Sequence, residues 1–305
     1  MTRTRASRHV LVTGADGQVG TELTAANGAH GLSVTALSRN LLDITDADAI
    51  AGAIAAHKPD IVINAAAYTA VDKAESEAEL ANAVNARGPG LLGLACDAAQ
   101  IPLFHISTDY VFDGSAARAW REDDPVNPLG VYGRSKAEGE AALRQATPCH
   151  IILRTAWIFS AHGGNFVKTM LRLAAERDRL SVVDDQSGNP TSATDIARTL
   201  LQLASTSIDR MMVGETPPWG TYHFCNAGVT SWCGFARAIM KGSSLRGGPS
   251  VPVTPITTAE YPTPAKRPAN SALDCDKLKT VFGIEPRPWE FALDDVLDQL
   301  VGPRV

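Results

Sequence analysis

The chain has 305 residues, 45% apolar and 20% charged, with 28 Lys and Arg against 33 Asp and Glu, for a formal charge of −5. That length predicts two domains or one large α/β unit, with enough chain to bury a core without staples. Mild acidity speaks against a nucleic-acid partner, no run approaches the ~18 apolar residues of a membrane span, and the basic start at 1–9 meets Gly14 too soon for a signal-peptide core. Five scattered cysteines (Cys96, Cys149, Cys225, Cys233, Cys275) without a CxxC pair argue against a disulfide framework or zinc site, so a cytoplasmic protein is expected.

The predicted elements of the first half alternate. Short apolar runs at 9–13, 33–37, 60–63, 102–107 and 150–154 read as strands. Ala-rich stretches of helical period at 18–27, 47–57, 77–100 and 131–145 lie between them. Strands apolar throughout and alternating with helices predict a parallel sheet covered on both faces. Right-handed crossovers make it a Rossmann-type, doubly wound α/β fold. After Trp157 the pattern loosens. A helix is expected at 165–177, a short strand at 180–183, a polar loop at 184–190, and a helix at 194–204 with Thr194 as its N-cap. Residues 208–220 read as irregular and 221–225 as a strand. Six prolines between Pro249 and Pro268 predict loop and edge strand around helices at 232–241 and 290–300. The division expected is 1–155 plus about 191–230 as one domain, with about 156–190 and 231–305 as a smaller, discontinuous α+β lobe.

Between the first strand and first helix stands Gly14-Ala-Asp-Gly17-Gln-Val-Gly20. Glycines there let the backbone approach a pyrophosphate, and the helix N-terminus turns free N–H groups and its positive dipole end toward it. The bland alternative is a tight strand–helix turn. After the second strand, Ser38 and Arg39 replace the acidic residue that would bind an unphosphorylated ribose; a hydroxyl and a cation suit a 2′-phosphate, which favours NADPH and leaves NADH as the alternative. In Leu42-Asp43-Ile44-Thr45, Asp43 can take the adenine amine or cap the following helix. Small residues at Asn64-Ala65-Ala66-Ala67-Tyr68-Thr69, after the third strand, leave space for a flat ligand.

Thr108 and Asp109 close the fourth strand, and Tyr132-Gly-Arg-Ser-Lys136 opens the next helix. The i, i+4 spacing puts Tyr132 and Lys136 on one helical face. A phenol is a poor acid at neutral pH, and a neighbouring ammonium is expected to lower its pKa. Tyr132 can then pass a proton to a carbonyl oxygen as hydride reaches the carbon, while a strand-four hydroxyl holds that oxygen. YxxxK alone occurs by chance on many helices; its order after the glycine loop and the Ser107-Thr108 strand end is what a doubly wound dehydrogenase needs.

With these motifs the chain resembles the extended short-chain dehydrogenase/reductases, and within them the dTDP-4-dehydrorhamnose reductase family. The resemblance spans essentially the whole chain. Its most specific stretches are Ala70-Val-Asp-Lys-Ala-Glu75 and Tyr261-Pro-Thr-Pro-Ala-Lys-Arg-Pro-Ala-Asn-Ser271. Others are Ser107–Gly114, Leu153–Trp157, Asn165–Ala174 and Val183–Thr191. The resemblance implies NADPH-dependent reduction of the C4 ketone of dTDP-4-dehydro-6-deoxy-L-mannose to dTDP-L-rhamnose. It implies that Gly17, Gln18, Val19, Ala67, Tyr68 and Thr69 line the dinucleotide and that Thr108, Tyr132 and Lys136 are catalytic. Thr108, Asp109, Tyr132, Trp157 and Asn165 would contact the nucleotide sugar, and Arg267 its diphosphate. Two rivals share the fold: a reductase of another dTDP-4-keto-deoxysugar, and a non-catalytic regulatory subunit. Some family members bind Mg2+ through three glutamates per subunit at a dimer interface. Here Glu22 and Glu290 stand at two of those positions and Thr194 at the third, a loss that weakens a site for a hard cation. Monomer and homodimer both stay open.

Overall fold

The computed structural model describes residues 8–304, so most of the basic start lies outside it. Five strands of the first half are β1 (Arg8–Thr13), β2 (Leu32–Leu37), β3 (Ile61–Asn64), β4 (Leu103–Thr108) and β5 (His150–Thr155). With Gly220–His223 they form one parallel sheet in the order Gly220–His223, β5, β4, β3, β1, β2. The order reverses between β1 and β3, and the crevice outside that switch point is where such sheets bind ligands.

Alternation along the strands builds both faces. Val10, Val12, Ile61, Ile63, Ile151 and Leu153 pack with Val19, Leu23 and the helix Ala193–Met212. Leu11, Val62, Leu103 and Ile152 point the other way, onto Ile50, Ile54, Leu92 and Leu143. A separate core joins Phe159, Val167, Phe235, Ile239, Trp289 and Leu293 from the later segments. Alongside it, Val253–Ile256 pairs in parallel with Leu180–Val183.

Several local expectations need correction. The stretch 77–100 is three pieces: Ala78–Asn82, a π turn at Ala83–Arg87, and Gly88–Ala98. Pro89 has no N–H for the Asn85 carbonyl four residues back, so the register slips there. The helix at 193 is capped by Ser192, whose side chain accepts from Asp195 N–H, and not by Thr194. It continues to Met212 through a region read as irregular, because Ile208 keeps the buried stripe of Leu201 and Ala204 going past Ser205 and Ser207. Asp276–Phe282 is a helix where loop was expected, and its Leu278 packs in the sheet core although it falls in the expected lobe. No helix of the described residues is long and apolar enough to cross a membrane.

Candidate active site

The glycine loop folds as its composition demands. Gly14 has φ of 76°, and a Cβ there would lie 2.6 Å from Ala66 N. A Cβ on Gly20 would collide with the Gly14 carbonyl. These two positions bring β1, the following helix α1 (Gln18–Ala25) and the loop after β3 together. No side chain among the described residues caps α1, whose N-cap is Gly17, so its first N–H groups remain available to an anion.

Three cavities share lining residues, two of them along the sheet's carboxyl edge and the third in the later segments. One of about 240 Å³ is lined by Gly14, Arg39, Asp43, Ile44, Ala66 and Tyr68. It shares Asp16, Gly17, Ala65 and Ala67 with a second of about 570 Å³, which also takes in Gln18, Val19, Thr69, Thr108, Asp109, Tyr132, Lys136 and Trp157. The second shares Phe166 and Trp232 with a third of about 370 Å³, reaching Tyr261, Thr263 and Arg267. The edge between β1 and β3 thus opens into a track of adjoining cavities.

The structure distributes the expected residues unevenly along this track. Gly20 and Ser38 stand outside all three linings; Gly20 serves the turn instead. Arg39 is exposed and pairs with Asp43 at 3.6 Å. Asp43 closes a turn by accepting from Thr45 N–H and hydroxyl at 2.9 and 2.7 Å, while Asp46 caps the next helix. Asn165 is occupied: it caps the helix Phe166–Glu176 and donates to Gln18 Oε1 at 3.0 Å, tying the lobe to α1. Trp157 has φ of 48°, a left-handed conformation unusual for a bulky residue. Its ring lies flat on Trp232 with centroids 3.5 Å apart, and its N–H donates to Ser271 Oγ at 3.0 Å. Arg267 makes a two-pronged pair with Asp72, at 2.8 and 3.1 Å.

Thr108 donates to Asp109 Oδ1 at 2.8 Å and accepts from Tyr110 N–H at 3.2 Å. Asp109 is buried, which pushes its carboxyl up to about 6 against the pull of the Thr108 hydrogen bond. Tyr132 departs from expectation. Desolvation pushes its phenol up to about 12, with Thr108 acting the other way, and no lowering by Lys136 is found. The reason is geometric: Lys136 Nζ is engaged elsewhere, 2.7 Å from the Ile106 carbonyl and 3.1 Å from His105 Nε2. Burial brings Lys136 itself down to about 8.

Four positioning residues were not singled out from sequence. Glu75 Oε1 accepts from Val131 N–H at 2.8 Å and so caps the helix Val131–Ala146 that carries Tyr132 and Lys136. Asp72 orients Arg267. Both sit in the Ala70–Glu75 motif, which was the available signal. Asn85 accepts from Tyr68 N–H and donates to Tyr68 O, at 2.8 and 2.9 Å, fixing the loop after β3. Trp232 supplies the face for Trp157. Glu22 lies 3.5 Å from His162, and Glu290 stands in the first turn of Trp289–Leu300. Among the described residues no three His, Cys, Asp or Glu side chains converge as a metal site.

Comparison with known proteins agrees over the full length. The family model described as RmlD substrate binding domain matches residues 8–301. A dTDP-4-dehydrorhamnose reductase of Aggregatibacter actinomycetemcomitans is 48% identical over 94% of this chain and 97% of its own. The crystal structure of a dTDP-4-dehydrorhamnose reductase from Clostridium acetobutylicum is 40% identical, with a TM-score of 0.87 over 96% of this chain and 99% of its own. One from Bacillus anthracis, solved in complex with NADP, is 34% identical with a TM-score of 0.89 over the same shares. A parallel sheet with an open glycine-lined crevice, a Tyr–Lys helix beside it and this likeness along the whole chain place it in the dTDP-4-dehydrorhamnose reductase family.

Proposed function

We propose that the chain reduces the C4 ketone of dTDP-4-dehydro-6-deoxy-L-mannose with NADPH, giving dTDP-L-rhamnose. The observation that carries the reading is the convergence of Thr108, Tyr132 and Lys136 on the same 570 Å³ cavity as the glycine loop. The uncapped α1 and the Gly14 to Val19 loop lining two adjoining cavities suit a dinucleotide pyrophosphate, with Arg39 and Asp43 toward the adenosine end. When bound, the dinucleotide supplies the hydride.

The protein's own groups handle the proton. Tyr132, held as the phenol, gives its proton to the ketone oxygen, and Thr108 orients that oxygen. Lys136, on the same helical face, binds ribose hydroxyls and sets the charge beside the phenol. Asp109 and Trp157 contact the sugar. Arg267 meets the diphosphate as a planar fork once Asp72 shares it. Local cations and backbone amides do this binding despite the negative net charge.

The division into 1–155 with about 191–230 for NADPH, and about 156–190 with 231–305 for the nucleotide sugar, is supported by the separate cores, with Asp276–Phe282 counted with the sheet. Five free cysteines fit a cytoplasmic enzyme. It would act as a monomer or homodimer. The test is NADPH consumption with the ketosugar generated from dTDP-glucose, with product stereochemistry read by NMR. A different C4 epimer would move the assignment to another deoxysugar, and no turnover on any nucleotide sugar would sink it.

A further inference from the structure

The loop that follows Ile158–Phe159 reaches back from the later lobe to the glycine loop. Ser160, which is buried, and Asn165 both donate to Gln18 Oε1, at 3.1 and 3.0 Å. Between them the loop lies against the Gln18 side chain. A Cβ on Gly163, where φ is 60°, would come 3.3 Å from Gln18 Cγ. Gln18 is the first residue of α1 and directly follows its N-cap Gly17, so it stands beside the expected pyrophosphate site.

Donor and acceptor rules fix which way each amide faces. Lys168 N–H donates to one end of the Asn165 amide at 3.2 Å, and a backbone N–H only donates, so that end is the oxygen. The other end lies 2.7 Å from the Ser160 carbonyl and 3.3 Å from the His162 carbonyl. Carbonyls only accept, so this end is the NH2. The same NH2 meets Gln18. The end of Gln18 that faces it is therefore the oxygen, because two NH2 groups at 3.0 Å would set donor against donor. Ser160 agrees with this arrangement. Its hydroxyl accepts from His162 N–H at 3.0 Å and shares its one proton between Gln18 and the His162 carbonyl. Among the described residues the Gln18 side chain is held only through that oxygen, so its NH2 is the free end. Gln18 lines the 570 Å³ cavity together with Gly17, Val19 and Gly163.

We propose that Asn165 is a positioning residue of the dinucleotide site: from the lobe, it turns the Gln18 amide so that its NH2, and not its oxygen, faces the pyrophosphate. The inference rests on the reading of the glycine loop as the NADPH site and says how that site is completed. An N–H on a phosphate oxygen is a charge-assisted hydrogen bond, whereas an amide oxygen in its place would face negative charge. The tie also makes the lobe part of the dinucleotide site. Asn165 caps the helix Phe166–Glu176, and Phe166 borders both the 570 Å³ and the 370 Å³ cavities.

NADPH binding followed by cofactor fluorescence, with a thermal melt of each variant, tests this without turnover. Gln18→Glu keeps an oxygen on Asn165 and replaces the free NH2 by a second oxygen. Its Kd for NADPH should rise about tenfold or more, while the melting temperature stays within about 2 °C of wild type. Asn165→Asp keeps an acceptor for Lys168 N–H but presents an oxygen to Gln18. The Gln18 amide then reverses, and Kd should again rise about tenfold or more. In a Gln18→Ala background, Asn165→Asp should change Kd by less than about twofold, because Asn165 acts through Gln18. A merely structural Asn165 would weaken binding equally in both backgrounds, and that result overturns the proposal. An unchanged Kd in Gln18→Glu overturns it as well. Wild-type protein that does not bind NADPH would instead refute the reading of the glycine loop. Wild type that binds NADPH without reducing the ketosugar would refute the substrate assignment and leave the role of Asn165 in place.

Discussion

Glu140→Gln offers a direct test of what holds the catalytic helix in place. Glu140 lies one turn beyond Lys136 on the same face and accepts from Arg154 of β5 at 2.8 and 2.7 Å, and from Arg144 at 2.8 Å. Both Glu140 and Arg154 are at most 1% exposed. The glutamine amide would turn an NH2 toward guanidinium donors and remove the balancing charge. Arg154 would keep only a 3.4 Å approach to the Glu122 carbonyl, another to His223, and the Phe112 ring. Leaving a buried charge without its partner costs about 3–5 kcal/mol. Arg154→Met should cost less, about 2 kcal/mol, because Glu140 retains Arg144 at the helix edge. The double variant Glu140→Leu/Arg154→Met removes both charges and should recover most of the loss. Burial alone would raise the Glu140 carboxyl, but the arginine hydrogen bonds and charge outweigh it and hold it below its usual value. A folded-state pKa below the unfolded one means stability present above the unfolded value and lost as pH falls through the folded one, so the gap between wild type and Glu140→Gln should narrow in acid. Guanidinium unfolding followed by circular dichroism measures all three variants. A Glu140→Gln loss under about 1 kcal/mol, or an Arg154→Met loss that exceeds it, would refute the reasoning.

Tyr132→Phe should lower kcat by about 10²–10⁴-fold while NADPH still binds, measured by turnover and by fluorescence titration. Arg39→Ala removes a cation near the adenosine end and should raise KM for NADPH by about tenfold or more, the scale of one charge-assisted hydrogen bond, with little change for NADH. Asp109 has a folded-state pKa of about 6, above its unfolded value of 3.8. Its protonated form is therefore favoured in the fold, and stability from this group is full below pH 3.8 and lost as pH rises to about 6. Asp109→Asn should abolish that decline in thermal melts; a decline that persists in the variant would assign it to another group.

Much of this protein is written locally. Strands such as Val10–Val12 are apolar on both faces and can only lie inside a covered sheet, and glycines at 14 and 20 mark a turn where backbone meets backbone. The Tyr132–Lys136 spacing is read directly from helical period. Errors came where local signals were weak: serines at 205 and 207 hid the continuation of a helix, and the cap read at Thr194 falls instead at Ser192, where the preceding strand pair sets the boundary.

The pairings that tune the site belong to another level. Asp72 with Arg267, Glu75 with Val131, Trp157 on Trp232, and Lys136 on His105 join residues whose spacing carries no period. Each depends on strand register or on how the later lobe folds back over the sheet. A motif therefore states which chemistry is available, through the groups it carries. Where each proton and charge rests is set by the partner that packing delivers to it, which is why the lysine expected to lower Tyr132 instead faces His105.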